Sequence, residues 1–205
     1  SSMATKGKFG FFTSEQDDFV KVAEELGMLR RERPDGRICY ARHPLVYIVE
    51  AADDICYEIM DIEDAHKLKI LGSDEVIELL LGYFDSSERD HMTEVMNRVD
   101  DPNEKIAYLR SCVIGVLVRR CAESFIANED LILGGRFRGS LLESLDSIEG
   151  EAYRRCNDLS WDKIYHASDV VDIELAGNRI ITFLLEKLIG AVVNPDLNYS
   201  RLLLS

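Results

Sequence analysis

The stretch EAADDICYEIMDIEDA, Glu50–Ala65, decides the fold. Around and within it, Val46, Ile48, Val49, Ala51, Ala52, Ile55, Ile59 and Ile62 recur at spacings of three and four, which predicts a helix of about five turns. Acids crowd the same segment. On a helix, positions four apart stack on one face, so Asp53, Tyr57 and Asp61 form one stripe and Glu50, Asp54 and Glu58 a neighbouring one. Like charges four apart with no lysine between them cost roughly a few tenths of a kcal/mol per pair. A cation or a sugar hydroxyl meeting the acids would offset that cost. A solvated acidic face fits the same spacing equally well, and spacing does not choose between the two stripes.

Outward from this helix the punctuation is helical throughout. Thr13 and Ser14, followed by acids, open a helix that Gly27 stops. Pro34-Asp35-Gly36 reads as a turn, the tip of a short hairpin near 30–40 that ends at Tyr40. Pro44 opens the acidic helix, which should run to about Leu71 before Gly72. Ser73 caps a short helix to about Phe84, and Ser86 or Ser87 caps another to about Val99. After the break at Asp100–Asn103, Ile106, Leu109, Val113, Val116, Leu117, Cys121 and Phe125 mark a long helix from Glu104 to about Asn128. Short helices around Ser140–Ile148 and Glu151–Asn157 precede an ambiguous Trp161–His166 and a last long helix, Asp169–Val193. The fold class is all-α. We expect one helical unit over 1–205, with residues 1–12 as a flexible N-terminal segment.

The chain has 205 residues, 46% of them hydrophobic, enough for a real core. Its net charge of −14 argues against a surface built broadly for nucleic acid. Five cysteines without a CxxC pair exclude a zinc finger and suit a reduced, cytoplasmic setting. No basic-then-apolar leader is visible. Glu186 and Lys187 interrupt the longest apolar run, Ile180–Val193, which is too short to cross a membrane.

Other chemistry is weaker. Glu63 with His66, and Glu88 with His91, have the Glu-x-x-His spacing of di-metal carboxylate bundles, although polar surroundings favour surface roles. Asp53-Asp54 lacks the fifth-position acid of a magnesium-diphosphate motif, because Tyr57 stands there. Gly134–Ser140, GGRFRGS, lacks the pattern of a phosphate-cradling loop and reads as a turn between helices. No histidine precedes an aspartate anywhere in the chain.

The run RHPLVYIVEAADDICYEIMDIEDA, Arg42–Ala65, resembles the signature of the bacterial dGTPase branch of the HD superfamily, the deoxynucleoside triphosphate triphosphohydrolases. KFGFFTSE at Lys8–Glu15, FIANEDLILGGRFRGSLLE at Phe125–Glu143 and IELAGNRIITFLLE at Ile173–Glu186 agree with that family in order and approximate spacing. The resemblance implies a helical HD-type fold and hydrolysis of a dNTP to a deoxynucleoside and inorganic triphosphate. It implies a divalent metal, magnesium or manganese, with Asp53 as its last ligand. It also assigns Tyr57 and Asp61 to the deoxyribose and Lys8 to phosphate, and so favours the Asp53 stripe. A homo-oligomer is implied as well, and the sequence leaves open whether single-stranded DNA also binds.

Two departures qualify the resemblance. The family's histidine and His-Asp ligands are missing, and so is its late segment resembling DYxxGMTDxYA. The sequence is therefore expected to be an internal or C-terminal portion of a longer enzyme, inactive by itself. The rival readings are a non-catalytic helical assembly or regulatory module and a di-metal carboxylate protein.

Overall fold

A computed structural model describes residues 11–34 and 36–204. Lys8, Lys6 and the rest of 1–10 lie outside the described residues. The fold is all-α, with nine α-helices and one two-stranded ribbon among the described residues. The chain divides into two compact units, one ending at Asn157 and the other beginning at Asp158.

In the first unit, a 3₁₀ turn at Thr13–Glu15 leads into α1, Gln16–Glu25, and Gly27 ends it with a positive φ of 65°. Strands β1, Arg30–Arg31, and β2, Cys39–Tyr40, pair antiparallel, with Arg30 opposite Tyr40 and Arg31 opposite Cys39. This is the hairpin the Pro-Asp-Gly turn predicts.

The acidic helix is α2, Pro44–Lys67. His43 caps it, Nδ1 accepting from the Leu45 N–H at 3.3 Å, and Pro44 occupies the first turn, where its missing N–H costs nothing. It ends four residues short of the expected Leu71. Lys69 turns left-handed, φ 61°, and the N–H groups of Lys69 and Ile70 donate back to the carbonyls of His66 and Ala65. That is the Schellman pattern, here without its usual glycine, which is why the sequence signal pointed to Gly72 instead.

Helices α3, Ser73–Leu81, and α4, Ser86–Met96, follow. Ser73 is the first helical residue of α3 and Gly72 its cap, whereas α4 is capped by Asp85 in a reciprocal box with Glu88, at 2.9 and 3.2 Å. Asp101 caps α5, Pro102–Ala127. Both α2 and α3 pack on α5, and Ile59, Ile62, Val76, Leu80, Ile106, Leu109, Val113 and Leu117 form the dry centre of the unit. After α6, Glu129–Leu133, residues 140–145 make turns rather than the expected short helix, and α7 spans Ile148–Leu159.

In the second unit, a π-helical turn at Ser160–Ile164 precedes α8, Ser168–Val193. The short α9, Asn198–Leu204, packs back on α8. Lys187 Nζ lies 5.4 Å from the Phe183 ring centre and 5.5 Å from that of Tyr199, tying the two helices at this end.

Candidate functional site

The two acidic stripes of α2 have different surroundings. Glu58 is buried, and Glu50 and Asp54 are half-buried. Glu50 pairs with the Arg42 guanidinium, which also lies 4.5 Å from the centre of the Tyr47 ring. Near Glu58 sit Tyr83 and Cys156, both deep in the core. Burial, with Cys156 and Glu58 adding to it, pushes the Tyr83 phenol well above its ordinary range. Among the described residues its hydroxyl has no conventional hydrogen-bond partner, only the Cys156 thiol beside it. Burial likewise raises the Cys121 and Cys156 thiols to about 11. The Tyr153 phenol is raised too, by burial first and then by Asp54 and Glu58. The Glu50–Asp54–Glu58 stripe therefore belongs to the interior.

Asp53 and Tyr57 face solvent, Tyr57 with 63% of its surface exposed, and Asp61 is half-buried at the edge of the same face. The turns around Asp53 carry Val49 and Met60, exposed by 67% and 53%, together with the exposed Cys56. An acid set in an uncovered apolar helix face differs from an ordinary solvated stripe, whose neighbours are polar. Sequence reasoning missed this collar. Its signal was legible, because Val49, Cys56 and Met60 interrupt what should be the polar side of an amphipathic helix.

Glu63 is held between Lys67 Nζ, at 2.9 Å, and the Arg110 guanidinium from α5. Burial alone would raise its pKa, but the hydrogen bonds from Lys67 and Arg110 bring it below the usual carboxylate value. His66 Nε2 lies 2.8 Å from the Ser73 hydroxyl, Glu88 is occupied as a cap residue, and His91 is exposed. Glu63, His66 and Glu88 thus have local structural roles, and His91 faces solvent. No three His, Cys, Asp or Glu side chains among the described residues converge so as to hold a metal ion. Asp53 alone does not fit a divalent cation, which needs several ligands in fixed geometry.

The GGRFRGS segment is a turn, as its sequence suggests. Tyr47 Oη donates to the Phe137 carbonyl at 3.1 Å, and the two rings meet edge to face at 5.3 Å. The Arg31 guanidinium donates to the Gly135 carbonyl and that of Arg42 to the Gly139 carbonyl at 3.4 Å. The loop is thereby clamped to the hairpin and to the start of α2.

These features define an all-α protein with an exposed acid, Asp53, on one of the long helices of its first unit. No family model matches the sequence. Individual proteins do. The chain is 33% identical to a deoxyguanosinetriphosphate triphosphohydrolase-like protein of Synechocystis sp., across 92% of this chain and 40% of the relative. It is 32% identical to the one from Pseudomonas aeruginosa, across 92% and 41%. A deoxyguanosinetriphosphate triphosphohydrolase of Salmonella arizonae is 28% identical, across 87% and 36%. The chain is thus homologous, over nearly its whole length, to part of the dGTPase-like proteins, as Arg42–Ala65 led us to expect. It spans about 40% of the length of these curated relatives.

Proposed function

We propose that this chain is the part of a metal-dependent dNTP triphosphohydrolase that carries one metal carboxylate and the sugar contacts. The carrying observation is the outward stripe of α2: Asp53 and Tyr57 exposed on one helix face with Asp61 at its edge, in a sequence homologous to proteins named for dGTP hydrolysis. In this reading the whole enzyme binds magnesium or manganese, and Asp53 is one ligand among several, the others lying outside the described residues. Tyr57 packs on the deoxyribose and Asp61 accepts a hydrogen bond from the 3′-hydroxyl. Lys8 neutralises phosphate charge. The apolar collar around Asp53 keeps water from the bound nucleotide once the face is covered, which strengthens these polar contacts.

The test compares the 205-residue chain with a longer gene product that contains it, assaying inorganic triphosphate release from each dNTP with magnesium or manganese. The longer protein should turn over, and Asp53→Ala should abolish its metal-dependent activity. The 205-residue chain should be inactive. Robust triphosphate release by the short chain would show that its ligand inventory is wrong.

A second reading, a helical assembly module, is favoured by one observation. Every large apolar side chain of α8 from Ile180 to Val193 is exposed by 44% or more. An uncovered patch of that kind marks a surface that meets another protein surface. The two readings are compatible if the enzyme works as a homo-oligomer.

A further inference from the structure

The cations of this chain are unevenly distributed. Residues 30–42 and 134–140 together hold seven arginines and two acids, Glu32 and Asp35, in a chain with 24 basic and 38 acidic residues. The fold brings these two segments together. Arg31 and Arg42 donate to the carbonyls of Gly135 and Gly139, and a Cβ on Gly135 would stand 2.7 Å from that of Ala41. Arg136 and Arg138 project exposed from the clamped loop. Arg136 folds back over Gly134, where an added Cβ would lie 3.1 Å from its Nε. Acids border the patch too, and exposed Asp130 stands just before the loop, its carbonyl 2.9 Å from where a Gly134 Cβ would lie. Glu50 pairs with Arg42, and Glu143 accepts from the Ser140 N–H at 3.0 Å. Beside it a cavity of about 210 Å³ is lined by Arg42, His43, Pro44 and Gly135 with apolar residues 26–29.

We infer that this arginine-bearing loop and hairpin form a binding site for a compact polyphosphate anion, distinct from the Asp53 stripe. The cations the loop presents to solvent, Arg136 and Arg138, are arginines, whose planar forks grip phosphate oxygens two at a time, while Arg31 and Arg42 hold the loop in place. The loop that carries Arg136 and Arg138 is held by three side chains from other elements, so its cations are presented on a fixed frame at little ordering cost. A compact ligand is favoured over an extended nucleic acid. The two segments are short, and a long polyanion leaving them would meet a molecule of net charge −14. The anion could arrive as free inorganic triphosphate or as the tail of a nucleotide. This inference does not depend on the proposed hydrolase activity.

The experiment is calorimetric titration of the 205-residue chain with inorganic triphosphate, in EDTA so that no metal-dependent site contributes. Parallel titrations use dGTP and a single-stranded oligonucleotide. Triphosphate should bind, weakening as salt rises. Comparable binding of dGTP would mean that the nucleotide tail is read, and weaker binding of dGTP that the free anion is preferred. Either supports the site. Arg136→Glu with Arg138→Glu should weaken triphosphate binding about tenfold or more, since each lost charged hydrogen bond is worth about that factor. Arg98→Ala, at an exposed arginine beyond the end of α4 that pairs with Glu94, should leave it unchanged. Circular dichroism checks folding, and the milder Arg136→Gln/Arg138→Gln pair replaces the charge reversal if that variant unfolds. The inference is overturned by no triphosphate binding at millimolar concentration or by binding indifferent to the arginine pair. It is overturned equally by binding lost with Arg98→Ala, or by an oligonucleotide that binds where triphosphate does not.

Discussion

Asp53 and Asp54 are adjacent in sequence, yet one is exposed and the other half-buried near the Tyr153 phenol and the Cys121 thiol. Their alanine variants should therefore fail in different ways. In an active longer enzyme, Asp53→Ala should remove turnover with little change in melting temperature. Asp54→Ala should keep considerable activity while lowering stability by about 1–2 kcal/mol, since it disturbs a packed polar cluster. Equal activity losses, with both variants folded, would undercut the separation of the stripes. Asp61→Asn tests the sugar contact. It should reduce the specificity constant for a normal dNTP by roughly ten- to a hundredfold, the worth of a charged hydrogen bond, and penalise a 3′-deoxy substrate much less. The cysteines give a readout that needs no substrate. Cys56 is exposed, whereas Cys121 and Cys156 are buried and raised to about 11. Mass spectrometry after brief alkylation at neutral pH should find Cys56 modified first, and Cys121 and Cys156 only after denaturation.

At the scale of elements, two features hold α2 in place. The first is the loop clamped to its start. Gly135 has φ 63° and is buried against Ala41, so Gly135→Ala combines a strained backbone with a direct clash. Urea melts should show a loss of about 2 kcal/mol or more. The second is Glu63, bridging α2 to Arg110 of α5. Its carboxyl is held below the value of 4.5 that it has when free. A depressed folded pKa means the contribution is fully present above the unfolded value and disappears as pH falls through the folded one. The stability difference between the natural chain and Glu63→Gln, of about 1 kcal/mol for a partly exposed pair, should be constant down to pH about 4.5 and close below it. A difference that persists unchanged into strong acid would mean that Glu63 acts through packing and not through charge.

At the scale of the whole molecule, exposed apolar area is the dominant feature. It occurs on the Asp53 face of α2 and along α8. Monomeric proteins seldom leave such faces uncovered. The 205-residue chain should accordingly bind a hydrophobic dye and self-associate with concentration in sedimentation experiments. Leu184→Glu with Leu188→Glu, two exposed positions one turn apart on α8, should reduce both. A chain that stays monomeric at high concentration and takes up no dye would contradict the assembly reading.

Much of the helical plan was legible from the sequence alone, because it rests on local physics. The apolar period of three and four marked α2, α5 and α8, and Pro-Asp-Gly marked the hairpin. Pro44 and Gly27 marked helix ends through backbone restrictions that belong to those residues. The end of α2 was misplaced because Lys69 takes a left-handed conformation that its type does not advertise. The cap of α4 fell to Asp85 because both neighbouring residue types can cap, and only the reciprocal bonds with Glu88 select one. The two acidic stripes were visible as a pair but equivalent by spacing, since a helix repeats its geometry on every face. Tertiary packing broke that equivalence: α2 lays Glu58 and Asp54 toward the interior and leaves Asp53 and Tyr57 outside. The gathering of Arg31, Arg42, Arg136 and Arg138 was likewise beyond the sequence, because about a hundred residues separate the two segments and only the folded chain brings them together.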